Sequence, residues 1–253
     1  MRTVTSVLIP IATAAAIVFG FGSAHAQGID GSKHDLASGL ASNPDNNEIC
    51  VYCHTPHASN DTIAAPLWNK PASGATYTTY DSNFSSTLDG TVLAVGSVSV
   101  ACLSCHDGTQ AMDTVINAPG SGGYNAAGAQ IDPLTGTTIG TAVTNLGTDL
   151  SNDHPIGVQY GGFSVAGAQI DPDFKVPASG SINGTTQWWV DTGAAGTGTR
   201  EKTDMILYAR ANAGSDQPFV ECASCHDPHN AANGTFLRVA NDNSGVCLAC
   251  HVK

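Results

Sequence analysis

The sequence is poor in charge. Only 12% of its 253 residues are Asp, Glu, Lys or Arg, against roughly 25% in an ordinary soluble domain. What charge there is has one sign: 21 acids stand against 9 Lys and Arg, a formal net charge of −12. That excludes a basic face for nucleic acid or for an anionic membrane. It suits solubility, basic partners or cationic metal species. Methionine occurs 3 times and aromatics make up 6% of the chain. Gly, Ser, Thr and Asn abound, so the chain is poor in helix formers and mostly irregular structure with short helices is expected. No stretch beyond residue 26 is apolar enough to span a bilayer. No cysteine lies outside four short segments, which leaves none for a separate disulfide framework.

Those four segments share one pattern, Cys-x-x-Cys-His. They are Cys50, Cys53 and His54; Cys102, Cys105 and His106; Cys222, Cys225 and His226; and Cys247, Cys250 and His251. Together they use all 8 cysteines. Two thiols three residues apart share one side of a helical turn. They reach the two vinyl groups of a porphyrin, and the next residue offers an imidazole to the iron. This is the attachment pattern of haem c. Disulfides give no reason for a histidine after every second cysteine. A zinc ribbon built on the pairs 222/225 and 247/250 gives none for four copies. Four covalently attached haem c groups are therefore expected. Cap-type residues stand three places before the first cysteine at Asn47, Ser99 and Ser244, and Pro218 stands ahead of Cys222. A short helix is expected at each site.

The chain has 9 histidines. His25 lies in an expected leader and four belong to the motifs, which leaves His34, His57, His154 and His229, one per haem. The economical expectation is that each iron takes two imidazoles, with these four as distal ligands. Met112 and Met205 are the only other sulfur candidates. His57 and His229 follow their motif histidines by three residues and cannot wrap to the opposite face of the same haem. Each should reach a neighbour: His57 the haem of His106, and His229 that of His251. His34 and His154 then fall to the haems of His54 and His226, in an order left open. Irons closed on both faces pass electrons and have no position for substrate. The expectation is an electron-transfer protein, with no catalytic residue.

Residues 1–26 read as a secretory signal. Arg2 is followed by an apolar run from about Val7 to Phe21, and Ala24-His25-Ala26 is a small-x-small cleavage site. Export fits haem c, which is attached outside the bacterial cytoplasm. Residues 27–253 are expected to form a single domain, with the haems making much of the core and the rest mostly irregular, with short α and 3-10 helices and minor β. Residues 27–117 carry the first two sites. Residues 118–200 read as a Gly/Thr-rich, partly β insertion bearing His154, and 201–253 carry the last two sites. Within the insertion Gly122 to Pro133 recurs as Gly161 to Pro172, an offset of 39 residues. Trp188 and Trp189 suggest a strand or a contact patch. Residues 201–213 are expected to be one true helix, capped at Thr203 or Asp204 and ended by Gly214. The triplets Asn183-Gly184-Thr185 and Asn233-Gly234-Thr235 match the glycosylation pattern by chance.

Six strings in order, Lys33-His34-Asp35, Cys53-His54-Thr55-Pro56-His57, Pro66-Leu67-Trp68-Asn69, Cys105-His106-Asp107-Gly108, Asp153-His154-Pro155-Ile156-Gly157 and Cys225-His226-Asp227-Pro228-His229, carry a resemblance. The chain resembles the outer-surface multihaem cytochromes of metal-reducing bacteria, and among them the tetrahaem, filament-forming (nanowire) OmcE type. The resemblance implies four bis-histidine haems in a continuous chain of stacked and T-shaped contacts. It implies a homopolymer in which haems of successive subunits touch, with His34 able to ligate a haem of the next subunit. The main expectation is therefore an exported cytochrome at the cell surface that conducts electrons, as an extracellular filament, from redox partner cytochromes to minerals or other acceptors. The alternatives are a monomeric periplasmic shuttle and a multihaem reductase.

Overall fold

The structure is a computed structural model. It describes residues 28–39, 48–118, 136–161, 163, 171–193 and 198–252. The expected leader, Asn47, the whole first copy of the repeat and most of the second lie outside the described residues. Regular structure is sparse: a few short helices, some sheet and mostly coil. No described helix is long and apolar enough to cross a membrane.

The largest element is a five-stranded antiparallel sheet. Its strands are β3 (Val158–Gln159), β4 (Ala178–Ile182), β5 (Thr185–Val190), β6 (Met205–Asn212) and β7 (Ser215–Val220), in the order β3-β7-β6-β5-β4. Two tight hairpins set its register. Ile182 pairs with Thr185 across Asn183 (φ 53°) and Gly184 (φ 78°). Asn212 pairs with Ser215 across Ala213 (φ 50°) and Gly214 (φ 84°). Positive φ at both central positions matches the twist of the flanking strands. A two-stranded parallel pair, β1 (Thr78–Thr79) with β2 (Asp149–Leu150), stands apart from this sheet.

The helix expected over 201–213 is a strand. Met205 to Tyr208 is apolar enough for either period, and pairing decides between them. Trp189 and Val190 of β5 flank it on one side and Phe219 of β7 on the other. Asp204 does not cap a helix. Its buried carboxylate accepts from the backbone N–H of Thr192 (3.0 Å) and Glu201 (2.6 Å), closing the loop between β5 and β6. Nor does the sheet respect a boundary at residue 200, since it draws on residues from 158 to 220. The strand expected at the tryptophans is present as β5.

The sheet carries a core of its own. Tyr160, Trp188, Val190, Met205 and Leu207 pack with Ala249 of the C-terminal helix α4 (Gly245–Cys250). Tyr160 reaches across with its hydroxyl, which donates to the carbonyl of Lys175 at 2.8 Å and lies 3.3 Å from that of Cys250. The peptide thus supplies an apolar centre under the last motif. Leu207 is fully buried in it. Leu207→Ala is expected to cost about 2–5 kcal/mol, read as a lower guanidinium midpoint in far-ultraviolet circular dichroism.

Candidate haem sites

Each cysteine pair lies on a helical turn. The first occupies a 3-10 turn, Ile49–Tyr52. The second lies in α2 (Ser99–His106), the third in α3 (Cys222–Cys225) and the fourth in α4. No side chain caps these turns in the expected way. Ser99 is inside α2, Ser244 makes no capping bond, and Pro218 belongs to β7. The turns close through the motif itself. The N–H of His54 donates to Cys50 O at 2.8 Å, that of His226 to Cys222 O at 3.2 Å, and that of His251 to Cys247 O at 2.9 Å.

The imidazoles are oriented from the other side. His54 Nδ1 lies 2.6 Å from Pro66 O, His106 Nδ1 2.8 Å from Thr144 O, and His226 Nδ1 2.8 Å from Thr235 O. A carbonyl only accepts, so each Nδ1 carries the proton. Each Nε2 then keeps its lone pair, the form of histidine that ligates a metal. His251 is held differently, tilted 45° against Phe174 with ring centroids 4.4 Å apart.

Neighbouring motifs are brought together in chain order. Burial and then Cys105 push the Cys53 thiol up to about 11, which links the first site to the second. A hydrogen bond with Cys222 and then burial raise the Cys102 thiol, and the same bond lowers Cys222, linking second to third. Burial and then Cys225 push the Cys250 thiol up to about 12, linking third to fourth. Cys50 and Cys247, at the two ends of this series, are exposed.

A buried carboxylate fixes the central junction. Glu221 precedes α3 and accepts from the Ser99 hydroxyl at the start of α2 (2.5 Å) and from Arg210 Nη1 of β6 (3.1 Å). Ser99 Oγ accepts in turn from the N–H of Cys222 (3.0 Å), and Ser224 Oγ from the N–H of Glu221 (3.0 Å). Burial raises the Glu221 pKa, opposed by Ser99 and Arg210. Arg210 also donates to Ala94 O at 2.8 Å. Gly157, at φ +66°, passes so close that a Cβ there would stand 2.9 Å from Leu93 O and 3.3 Å from Arg210 Nη1.

Asn69 and Lys70 do the same for the first junction. Asn69 Nδ2 donates to Val51 O (2.6 Å) and Asn117 O (2.9 Å), and its Oδ1 accepts from the N–H of Asn117 (2.9 Å). Fully buried Lys70 donates to Met112 O (2.5 Å) and Thr114 O (2.9 Å). Its ammonium also bonds Cys105, drawing that thiol down against the burial that raises it. In the second motif, Asp107 accepts from Tyr77 OH at 2.7 Å, and burial and then this bond push the Tyr77 pKa up to about 12.

Two further features fit haem. Trp68 packs edge-on against His54 with centroids 5.8 Å apart, and its buried Nε1 finds no acceptor among the described residues. A haem propionate is an acceptor of the right kind. A cavity of about 350 Å³ gathers three cations, Arg200, Lys202 and Arg238, with two acids, Glu201 and Asp227, so one cation in excess is available to a carboxylate.

Two of the four non-motif histidines have motif histidines as ring neighbours. His229 lies beside His54, with centroids 6.0 Å apart, not beside His251. His34 lies beside His106 at 6.1 Å and stacks on Phe236 at 4.2 Å. Residues 28–37 run along 226–236, so closely that a Cβ on Gly28 would clash with His229 O. His57 and His154 are exposed. Glu221, Asn69 and Lys70 escaped sequence reasoning as site residues. The Pro66-Leu67-Trp68-Asn69 string pointed at Asn69. Nothing local marks the other two, whose partners are distant in sequence.

The Doubled CXXCH motif family matches residues 216–253, which hold the third and fourth sites. Comparison with the curated proteins returns no match. The doubled motif indicates haem c binding and electron transfer. All eight cysteines fit covalent haem c, whose attachment takes place outside the cytoplasm. Removing the central carboxylate tests the frame around the sites. Glu221→Ala leaves the partly buried Arg210 without its anion and Ser99 without its acceptor, and is expected to cost about 3 kcal/mol, read by chemical denaturation followed at the Soret band.

Proposed function

We propose that the chain is an exported tetrahaem c-type cytochrome that conducts electrons through bis-histidine, low-spin haems. The observation that carries this reading is the meeting of the second and third cysteine turns at Ser99 and Glu221, to which charge coupling adds Cys53 with Cys105 and Cys225 with Cys250. Such spacing supports a conduit in chain order. Bound haem c supplies reversible one-electron chemistry. The protein holds the imidazoles, excludes water from the inner thiols and keeps neighbouring sites close. With two imidazoles assigned to every iron the protein is a carrier and has no substrate position.

The conduit is proposed to continue between subunits of an extracellular filament, the arrangement of the OmcE type. The exposed outer cysteines of the first and fourth sites, Cys50 and Cys247, at opposite ends of the series, support haem-to-haem contact between copies. Minerals or other terminal acceptors outside the cell are the proposed destination, with redox partner cytochromes as donors. The same exposed ends serve a monomeric periplasmic shuttle, which docks one partner at each.

The intact mass of purified protein is expected to exceed that of the peptide by four haem groups, with an entirely low-spin spectrum. Electron micrographs of the same material are expected to show filaments. Fewer haems, or an iron that readily takes up an added ligand, would overturn the carrier reading. Dispersed particles at high concentration would leave the shuttle in its place.

A further inference from the structure

Two imidazole nitrogens bound to one iron at roughly 2 Å each place their ring centroids about 6 Å apart. Two ring pairs in the structure have that separation. His54 and His229 are 6.0 Å apart with planes at 20°, and His34 and His106 are 6.1 Å apart with planes at 72°.

Three of the four rings also have one nitrogen hydrogen-bonded to a main-chain carbonyl, and the fourth stands beside a carboxylate. His54 bonds Pro66 O and His106 bonds Thr144 O. His34 bonds the carbonyl of Pro228. His229 Nδ1 stands 3.7 Å from Asp227 Oδ1, whose carboxylate also accepts the His229 N–H at 3.0 Å. On His34, His54 and His106 one lone-pair nitrogen is thus left for a metal, and on His229 the nitrogen away from Asp227 is available. An oriented pair of imidazoles, each backed by an acceptor, is the surrounding of a bis-histidine iron.

We propose that His229 closes the iron of the first site and His34 the iron of the second, both within one chain. This deepens the bis-histidine reading and rests on it. The consequence is topological. The segment 226–236 supplies the distal ligand of the first site through His229 and holds His34, the distal ligand of the second, through Pro228 and Phe236. The third motif therefore governs all three of the first irons. His57 and His154 remain for the third and fourth sites.

The two pairs are spectroscopically distinct. Nearly parallel imidazoles give a low-spin ferric iron a rhombic electron paramagnetic resonance signal. Nearly perpendicular ones give a highly anisotropic signal. His229→Ala is expected to remove one rhombic signal and create one high-spin iron, and His34→Ala to remove one highly anisotropic signal. Each loss is expected in dilute, monomeric protein, and added imidazole is expected to restore low spin. His34→Met keeps a ligand while removing the perpendicular ring. It is expected to raise the potential of one haem, since methionine ligation does so, and it covers the case in which the alanine variant fails to fold.

A wild-type monomer with a high-spin iron that turns low-spin only on assembly would overturn ligation within one chain and assign His34 to the next subunit. An entirely low-spin His34→Ala or His229→Ala variant would overturn the pairing and leave bis-histidine ligation standing. High-spin irons in assembled wild-type protein would overturn the bis-histidine reading itself.

Discussion

A single buried carboxylate holds the frame together. Glu221 lies between the start of α2 and the start of α3, shared by Ser99 and Arg210. An ion in the interior persists only when its partners replace water, and here those partners come from two haem-bearing turns and a strand. Because Ser99 also receives the N–H of Cys222, the second and third cysteine pairs are fixed at one distance. Without that lock the two turns, 122 residues apart in sequence, have no reason to meet.

The sheet matters because it carries Arg210 and ends in Glu221. β7 runs straight into α3, so the third site inherits the rigidity of five paired strands. The core beneath them also receives Ala249, which anchors the fourth site. The first two sites hang on a looser frame of turns, where Asn69 and Lys70 replace sheet pairing by side-chain bonds to backbone carbonyls. The chain thus uses two kinds of support for sites of one chemistry.

The chemistry was legible in the sequence where it is local. Cys-x-x-Cys-His sets its own turn, so each cysteine pair stands on a short helical turn although Ser99, Ser244 and Pro218, on which that expectation rested, do not cap it. Trp188 and Trp189 announced a strand. Met205 to Tyr208 did not, because four apolar residues in a row satisfy either period, and only the facing strands settle the matter. Asn183-Gly184 is a strong hairpin signal that the chance glycosylation match hid. The ring neighbours of His34 and His229 were out of reach. Spacing says which iron a histidine cannot serve, and the fold of a distant segment says which one it meets.

The acceptors that orient three of the motif rings are main-chain oxygens, those of Pro66, Thr144 and Thr235. A main-chain oxygen survives replacement of the residue that bears it. The protonation pattern of those rings is therefore insulated from drift at these positions, and what selection has to preserve is the course of three loops. Sequences that share this design can diverge widely between their haem motifs and still present the same nitrogen to the metal.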